Sequence, residues 1–189
     1  APAQFASEQT LPAGFLGVTG GSGGTSFPQN NANDHKWQWH YDSPQVVTQG
    51  PITICGLAVR AENGNLAVGA FNFPSFVVTM ATALTDYTVA GHSTTFAANL
   101  SMDATVVRTG TWAGGPVPAS GAPAADWIDI PLSQTFTYDP TLGDFIVQIE
   151  KCGTTAIWGA AMAGKAGPAG VHGGHTRRGP GRGKRADGH

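Results

Sequence analysis

The stretch KWQWHYD (residues 36–42) alternates polar and large aromatic residues along its length. Side chains of a β-strand point alternately to opposite faces, so this pattern places the aromatic residues on one face and Lys36, Gln38 and His40 on the other. We expect the aromatic face to lie in a core and the polar face to contact water. The stretch therefore predicts a half-buried strand of an antiparallel sheet.

Comparable runs of β-branched and aromatic residues recur at short intervals, and no long helical pattern lies between them. Such spacing predicts an all-β fold, an antiparallel β-sandwich of jelly-roll type with eight to ten strands. The expected strands are 51–60, 66–73, 75–81, 94–98, 104–111, 126–130, 134–138 and 144–152, with a further strand within 14–19.

Two turns predict hairpins between consecutive strands. Asn63-Gly64 is a strong hairpin signal, and we expect it to pair residues 51–60 with residues 66–73. The turn over residues 139–143 predicts the pairing of 134–138 with 144–152. In contrast, residues 113–126 are rich in Pro, Gly and Ala, and this predicts an irregular loop.

Composition divides the 189-residue chain into an extended N-terminal segment (1–34), a β-sandwich domain (35–163) and a Gly-rich basic tail (164–189). Up to Gly164 the chain has four Lys or Arg against eleven Asp or Glu, and from Lys165 onward six against one. An acidic body argues against specific nucleic-acid binding. We expect the tail to be disordered or ordered by a partner. It would bind polyanions or its own acidic body in a salt-sensitive way, or else be a dispensable solvated end. Its candidate binding residues are Arg177, Arg178, Arg182, Lys184 and Arg185.

The two cysteines, Cys55 and Cys152, lie within or beside predicted strands. A disulfide between them would close a loop of nearly a hundred residues and stabilise the fold by roughly 4–5 kcal/mol in the chain-entropy model. It would also imply an oxidising compartment. The alternative is a pair of buried free thiols.

Export is a second expectation from the sequence. The opening Ala1-Pro2-Ala3 resembles the small-residue zone near a signal-peptidase cleavage site, which favours a secreted, extracellular or cell-surface protein. There is no run of eighteen apolar residues, so we expect no membrane-spanning segment.

Acidic residues and histidines supply the candidate metal ligands. Asp139 and Asp144 flank a tight turn, where carboxylates and backbone carbonyls suit a structural Ca²⁺ ion. His40 and Asp42 share a strand face and could bind Zn²⁺ or Cu²⁺. The competing interpretations are turn aspartates bonded to their own backbone and a surface-strand histidine. No pair of carboxylates is singled out for hydrolysis, so no catalytic residue and no other cofactor is predicted.

Tryptophan is the candidate ligand-binding residue, because sugar rings stack on aromatic faces of β-sandwiches. Trp112 lies beside a glycine-rich loop and is the one we expect to be most exposed, and Trp127 is the second candidate. The alternative for both is a place in the core.

Several motifs resemble uncharacterised secreted proteins of planctomycete-type bacteria. They are WQWHYD (37–42), PITI (51–54), STTFAANL (93–100) and FTYDP followed by DFIVQI (136–149). The resemblance covers about residues 35–163 and implies an exported β-sandwich, with no activity and no catalytic residues to transfer. The basic tail departs from the more neutral ending of those proteins.

Three functional hypotheses remain. The leading one is a non-catalytic extracellular structural or adhesive module that assembles with copies of itself into a filament or surface layer. The second is a carbohydrate-binding module whose partner is an extracellular polysaccharide, and the third is a secreted hydrolase or metal-dependent enzyme.

Overall fold

The computed structural model describes residues 9–19, 34–48, 50–61, 64–123 and 126–152, together with the backbone of 162–165. These residues form eleven β-strands and two short 3₁₀ helices, Ser43–Gln45 and Phe96–Asn99, with no α-helix among them. The all-β prediction is therefore confirmed. The strands are β1 (His35–Tyr41), β2 (Ile52–Ile54), β3 (Leu57–Ala61), β4 (Phe71–Phe73), β5 (Ser75–Thr82), β6 (Thr105–Arg108), β7 (Trp112–Gly114), β8 (Trp127–Ile130), β9 (Phe136–Tyr138), β10 (Phe145–Cys152) and β11 (Met162–Lys165).

Every strand pair in the described part of the chain is antiparallel. The largest sheet has four strands in the order β1-β10-β5-β6, and a second sheet has the order β11-β3-β8. Two-stranded ladders join β2 to β9 and β4 to β7. β2 leads into β3, and β8 leads into β9, so the β2–β9 ladder and the β3–β8 ladder follow one another along the same two chain segments. In the same way, β4 leads into β5 and β6 leads towards β7, so the β4–β7 ladder follows the β5–β6 ladder.

The period-two pattern places one hydrophobic core between these elements. Trp37, Trp39 and Tyr41 of β1 are buried, and all three belong to a single cluster of buried apolar side chains. That cluster also draws residues from strands β2 to β10, so each sheet contributes to it. The aromatic face of β1 is therefore a core face, as its alternation predicts.

Neither predicted hairpin forms. β3 pairs with β8 and β11, while β4 pairs with β7, so the residues around Asn63-Gly64 belong to different ladders. β9 pairs with β2, while β10 pairs with β1 and β5. The turn between β9 and β10 is tight, since the hydroxyl of Tyr138 donates to the carbonyl oxygen of Gly143 at 2.7 Å. Turn residues reverse the direction of the chain, but packing against the core determines which strands pair with one another.

Three further strand predictions need correction. Residues 14–19 form turns, and residues 94–98 lead into the 3₁₀ helix Phe96–Asn99 rather than a strand. Residues 51–60 are split into β2 and β3 at Cys55-Gly56. The loop predicted over 113–126 contains the end of β7 and an isolated bridge between Val117 and Val68.

The predicted disulfide is not found: no sulfur–sulfur bond joins Cys55 and Cys152, and both residues are exposed. The topology explains this, because Cys55 lies between β2 and β3 whereas Cys152 ends β10 beside Ser75 of β5. Strand β11 also extends to Lys165, so the pairing with β3 includes the first two residues of the predicted tail.

Candidate functional site: a polar network beneath the β5–β6 connection

The outer face of β1 and β10 is covered, contrary to the prediction that it contacts water. Gln38 and His40 of β1 and Gln148 of β10 are all buried. They lie beneath the connection between β5 and β6 (residues 83–104, hereafter the cover), which contributes His92, the 3₁₀ helix Phe96–Asn99 and the completely buried Asn99. Burial of so many polar side chains requires that they bond to one another.

Asp144 anchors one end of the network. Its side chain is 2 % exposed, and its two oxygens meet three donors from three parts of the chain. Oδ1 accepts from the backbone N–H of Ser43 at 2.8 Å. Oδ2 accepts from the backbone N–H of Tyr87 at 2.7 Å and lies 3.1 Å from Nε2 of His40. Asp144 therefore connects the end of β1, the start of β10 and the cover.

Two histidines continue the network from this carboxylate. Nδ1 of His40 lies 3.1 Å from Nδ1 of His92, and Nε2 of His92 lies 3.1 Å from Nδ2 of Asn99. The ring of His40 also packs against Tyr87, with centroids 5.4 Å apart. Both ring nitrogens of His40 are thus occupied by protein groups.

Asn99 connects the histidines to the amides of the sheet. Its Oδ1 accepts from the backbone N–H of Ser93 at 2.8 Å, which fixes the orientation of the amide. Its Nδ2 donates to the carbonyl oxygen of Ser93 at 2.9 Å and to Oε1 of Gln38 at 2.8 Å. Nε2 of Gln38 in turn donates to the carbonyl oxygen of Phe96 at 2.9 Å and to Oε1 of Gln148 at 2.8 Å.

The far end of the network is an ion pair near the surface. Nε2 of Gln148 donates to Oε1 of Glu150 at 2.9 Å, and the same oxygen lies 2.8 Å from Nζ of Lys36. Lys36 also lies over the ring of Phe96, 5.5 Å from its centroid. A continuous chain of side chains therefore runs from Asp144 to Lys36 between the sheet and its cover.

Burial sets the protonation state of the histidines. It lowers the pKa of His40 below its ordinary value, although Asp144 and Asp86 favour the charged ring. Burial also lowers the pKa of His92, and the neighbouring His40 adds to this effect. Asp42 beside the site has a raised pKa, first because of burial and then because of Asp144 and Asp86. Hydrogen bonds from Thr88 lower the pKa of the exposed Asp86.

The structure places the predicted metal ligands in different roles. His40 and Asp144 are in contact, but Asp139 accepts from the backbone N–H and hydroxyl of Thr141 within its own turn. In the part of the chain that the structure describes, no three His, Cys, Asp or Glu side chains are grouped to hold a metal ion. The contacts that these side chains make in the structure are hydrogen bonds, and metal binding by them stays a prediction.

The two candidate tryptophans differ in burial. Trp112, which we expected to be exposed, is 2 % exposed and packs among Phe71, Phe73 and Phe76. Its glycine-rich neighbours do not expose it, because β7 pairs with β4 and carries the ring into the core. Trp127 is half-buried, with the guanidinium of Arg60 4.7 Å from a ring centroid.

The remaining site prediction concerns the tail. Its candidate polyanion-binding residues Arg177, Arg178, Arg182, Lys184 and Arg185 lie outside the described residues. No helix among the described residues is both long and apolar enough to cross a bilayer.

The sequence did not predict His92, Asn99, Gln38 or Gln148 as parts of a site. Each is an ordinary polar residue in its local context, and the network exists only because the cover folds back on β1. The single local signal is that Asn99 belongs to the STTFAANL stretch (93–100), one of the motifs that carry the resemblance described above.

Comparison with known proteins adds no further assignment, since no family model, curated protein or solved structure matches the chain.

Proposed function

We propose that this chain is a non-catalytic extracellular structural module, a β-sandwich that associates with copies of itself. The observation that carries the proposal is a group of large apolar side chains exposed on the loops at one end of the four-stranded sheet. The group, hereafter the apolar end, consists of Leu84, Val89, Met102 and Leu142.

Hydrogen bonds place the loops that carry these four residues at the same end of the four-stranded sheet. Leu84 follows Ala83, whose N–H donates to the carbonyl oxygen of Asp144, and Leu142 precedes Asp144 by two residues. Met102 follows Ser101, which bonds to Thr82, and Val89 lies two residues after Tyr87, which bonds to Asp144. A contiguous exposed apolar patch is typical of surfaces that bind another protein, and we propose that these four side chains form such a patch.

The closed polar network supports the non-catalytic part of the proposal. A general base needs a nitrogen or oxygen that can reach a substrate proton. The ring nitrogens of His40 contact Asp144 and His92, and both oxygens of Asp144 contact donors from the protein. His40, His92 and Asp144, the residues whose chemistry best suits acid–base catalysis, therefore attach the cover to the sheet.

The export and the sandwich arrangement are part of the same proposal. Export is supported by the resemblance to secreted bacterial proteins, and the sandwich by the single core cluster that the sheets share. The basic tail adds a second means of association, because its positive charge complements the acidic body of a neighbouring copy.

Sedimentation velocity of the full chain tests the proposal. We expect the weight-average sedimentation coefficient to rise over roughly 1–100 μM, the range of a modest protein interface. The double variant Leu84→Glu/Leu142→Glu should abolish the rise, because it places charge within the apolar end. Negative-stain electron microscopy of the associated fraction then distinguishes a filament from a closed oligomer.

The matched control is Leu16→Glu/Val18→Glu, which adds the same charge at exposed apolar residues of the segment that contacts Arg60. This control should associate as the parent chain does. A chain that remains monomeric over the whole range would contradict the proposal. Retention on insoluble polysaccharide by that monomer would favour the carbohydrate-binding hypothesis instead.

A further inference from the structure

The His40–His92 pair has places for only two ring hydrogens. Asp144 accepts hydrogen bonds, so the hydrogen of His40 is on Nε2 and its Nδ1 is an acceptor. The amide of Asn99 donates through Nδ2, so Nε2 of His92 is an acceptor and its hydrogen is on Nδ1. The two Nδ1 atoms, 3.1 Å apart, then share that one hydrogen. Nδ2 of Asn99 has two hydrogens for three acceptors, Nε2 of His92, Oε1 of Gln38 and the carbonyl oxygen of Ser93, so its contact with His92 is a shared one. With both rings neutral, no two hydrogens of the pair point at each other.

Neither His92 nor Asn99 offers an acceptor for a third ring hydrogen, and the one further group, the backbone of Thr85, bonds to the His40 ring and favours its charged form less strongly than burial opposes it. On Nδ1 of His40 the third hydrogen would point at the N–H of His92. Transfer of the His92 hydrogen to its Nε2 relieves that contact but points an N–H at the NH₂ group of Asn99. Each alternative brings two donors to about 3 Å in a site with little water, and a buried donor without an acceptor is costly.

We propose that the connection between β5 and β6 is a proton-operated cover, in which protonation of the His40–His92 pair releases residues 84–99 from the outer face of β1 and β10. This inference goes beyond the proposed self-association, because it concerns contacts within one chain, and the released segment carries Leu84 and Val89 of the apolar end.

The cover is the part that moves, because polar contacts hold it to the outer face of β1 and β10. His40 and Gln38 lie in β1, which pairs along its whole length with β10. The cover reaches them through His92, through Asn99 and through the carbonyl oxygen of Phe96. Loss of the histidine contact removes one of these bonds and disturbs Asn99, which makes another.

The charged and titratable groups around the pair determine the direction of the response. Asp144 before β10 and Asp86 in the cover favour the charged ring of His40, whereas burial opposes it, and Asp42 at the end of β1 interacts electrostatically with the same ring. Tyr87 of the cover packs on His40, and burial first, then Asp144, raises the pKa of Tyr138 in β9.

Burial prevails, since the pKa values of both histidines are lowered in the closed form. An open cover returns the rings to water, where a histidine has a pKa of about 6.5. The open form therefore binds more protons than the closed form. The closed cover is fully favoured above that pH and loses stability progressively as the pH falls below it.

Hydrogen–deuterium exchange of the full chain tests this inference at pH 7.5 and pH 5.0, with rates corrected for intrinsic exchange. We expect the protection of amides in 84–99 to fall by about tenfold or more at the lower pH, while β5 and β10 stay protected. In the His92→Asn variant, the protection of the same amides should differ by no more than about twofold between the two pH values. Its amide does not titrate and can turn its oxygen toward a protonated His40.

His35→Asn is the matched control, because His35 is an exposed histidine on the same strand as His40. This variant should respond to acid as the parent chain does. Nitrogen NMR shifts of the parent chain at pH 7.5 provide a second readout without any substitution. They should report hydrogen on Nε2 of His40 and on Nδ1 of His92. The opposite tautomers, or a cover equally protected at both pH values, would overturn the inference.

Discussion

Replacing Asp144 with asparagine is expected to destabilise the fold by about 3 kcal/mol, because a buried acceptor of three hydrogen bonds becomes an acceptor on one side only. If the new amide keeps its oxygen toward His40 and Tyr87, its NH₂ group meets the N–H of Ser43. The opposite orientation gives two donor–donor contacts instead of one. Urea denaturation measures the loss. The slope of the unfolding free energy against urea concentration should be the same for both proteins, which checks that unfolding is two-state.

Asp139→Asn is the control for this prediction, since it makes the same chemical change at the other end of the same turn. Asp139 accepts only from Thr141 in the described contacts, and an amide oxygen can accept both of those bonds. We expect a change within about 0.5 kcal/mol. Equal losses for the two variants would mean that Asp144 stabilises the turn alone and does not hold three segments together.

The inner face of the fold was predictable from the sequence because it depends on short-range periodicity. The aromatic residues of β1 point into the core, as do Phe145, Val147 and Ile149 of β10, and each set alternates with period two. Burial of one strand face is a local property, so a seven-residue pattern is enough to predict it.

Strand pairing was not predictable, because it depends on contacts far apart in the sequence. β10 lies between β1 and β5, which are separated from it by about a hundred and by more than sixty residues. The turn before β10 has strong hairpin residues, but its two flanking strands each pair elsewhere. Turn chemistry fixes the reversal of the chain and leaves the choice of neighbour to tertiary packing.

The candidate site was missed for a related reason. Gln38 and His40 fit a wet strand face in every local respect, and their partners His92 and Asn99 come more than fifty residues later. A buried polar face cannot be distinguished from an exposed one by hydropathy when its partners are also polar. What makes the burial possible is the pairing of donors with acceptors between the sheet and the cover, which only the folded chain displays.

The same pairing explains why one region combines rigidity with the proposed response to acid. Neutral amides keep their charge at every pH, whereas the two adjacent histidines can gain charge in acid. The network therefore holds the cover closed under neutral conditions and confines its sensitivity to the end that contains His40, His92 and Asp144.

Replacing Trp112 with alanine is expected to cost about 3–5 kcal/mol, the range for removing a large aromatic side chain from a packed core. The indole packs against Phe71 and Phe76 with centroids 4.7 and 4.6 Å away, and its N–H donates to the carbonyl oxygen of Asp129 at 3.0 Å. The substitution leaves a cavity between β4, β5 and β7 and an acceptor without its donor. Chemical denaturation measures the loss.

Trp127→Ala is the matched control, because the same side chain is removed from a half-buried site against Arg60. We expect a loss of about 1 kcal/mol, from the cation–π contact and partial burial. The two variants separate core tryptophan from surface tryptophan. If Trp112→Ala left stability unchanged but removed binding to a polysaccharide, the ring would be a ligand platform after all, and the packing between β4 and β7 would be wrong. A loss confined to stability instead places Trp112 among the residues that hold the sheets together.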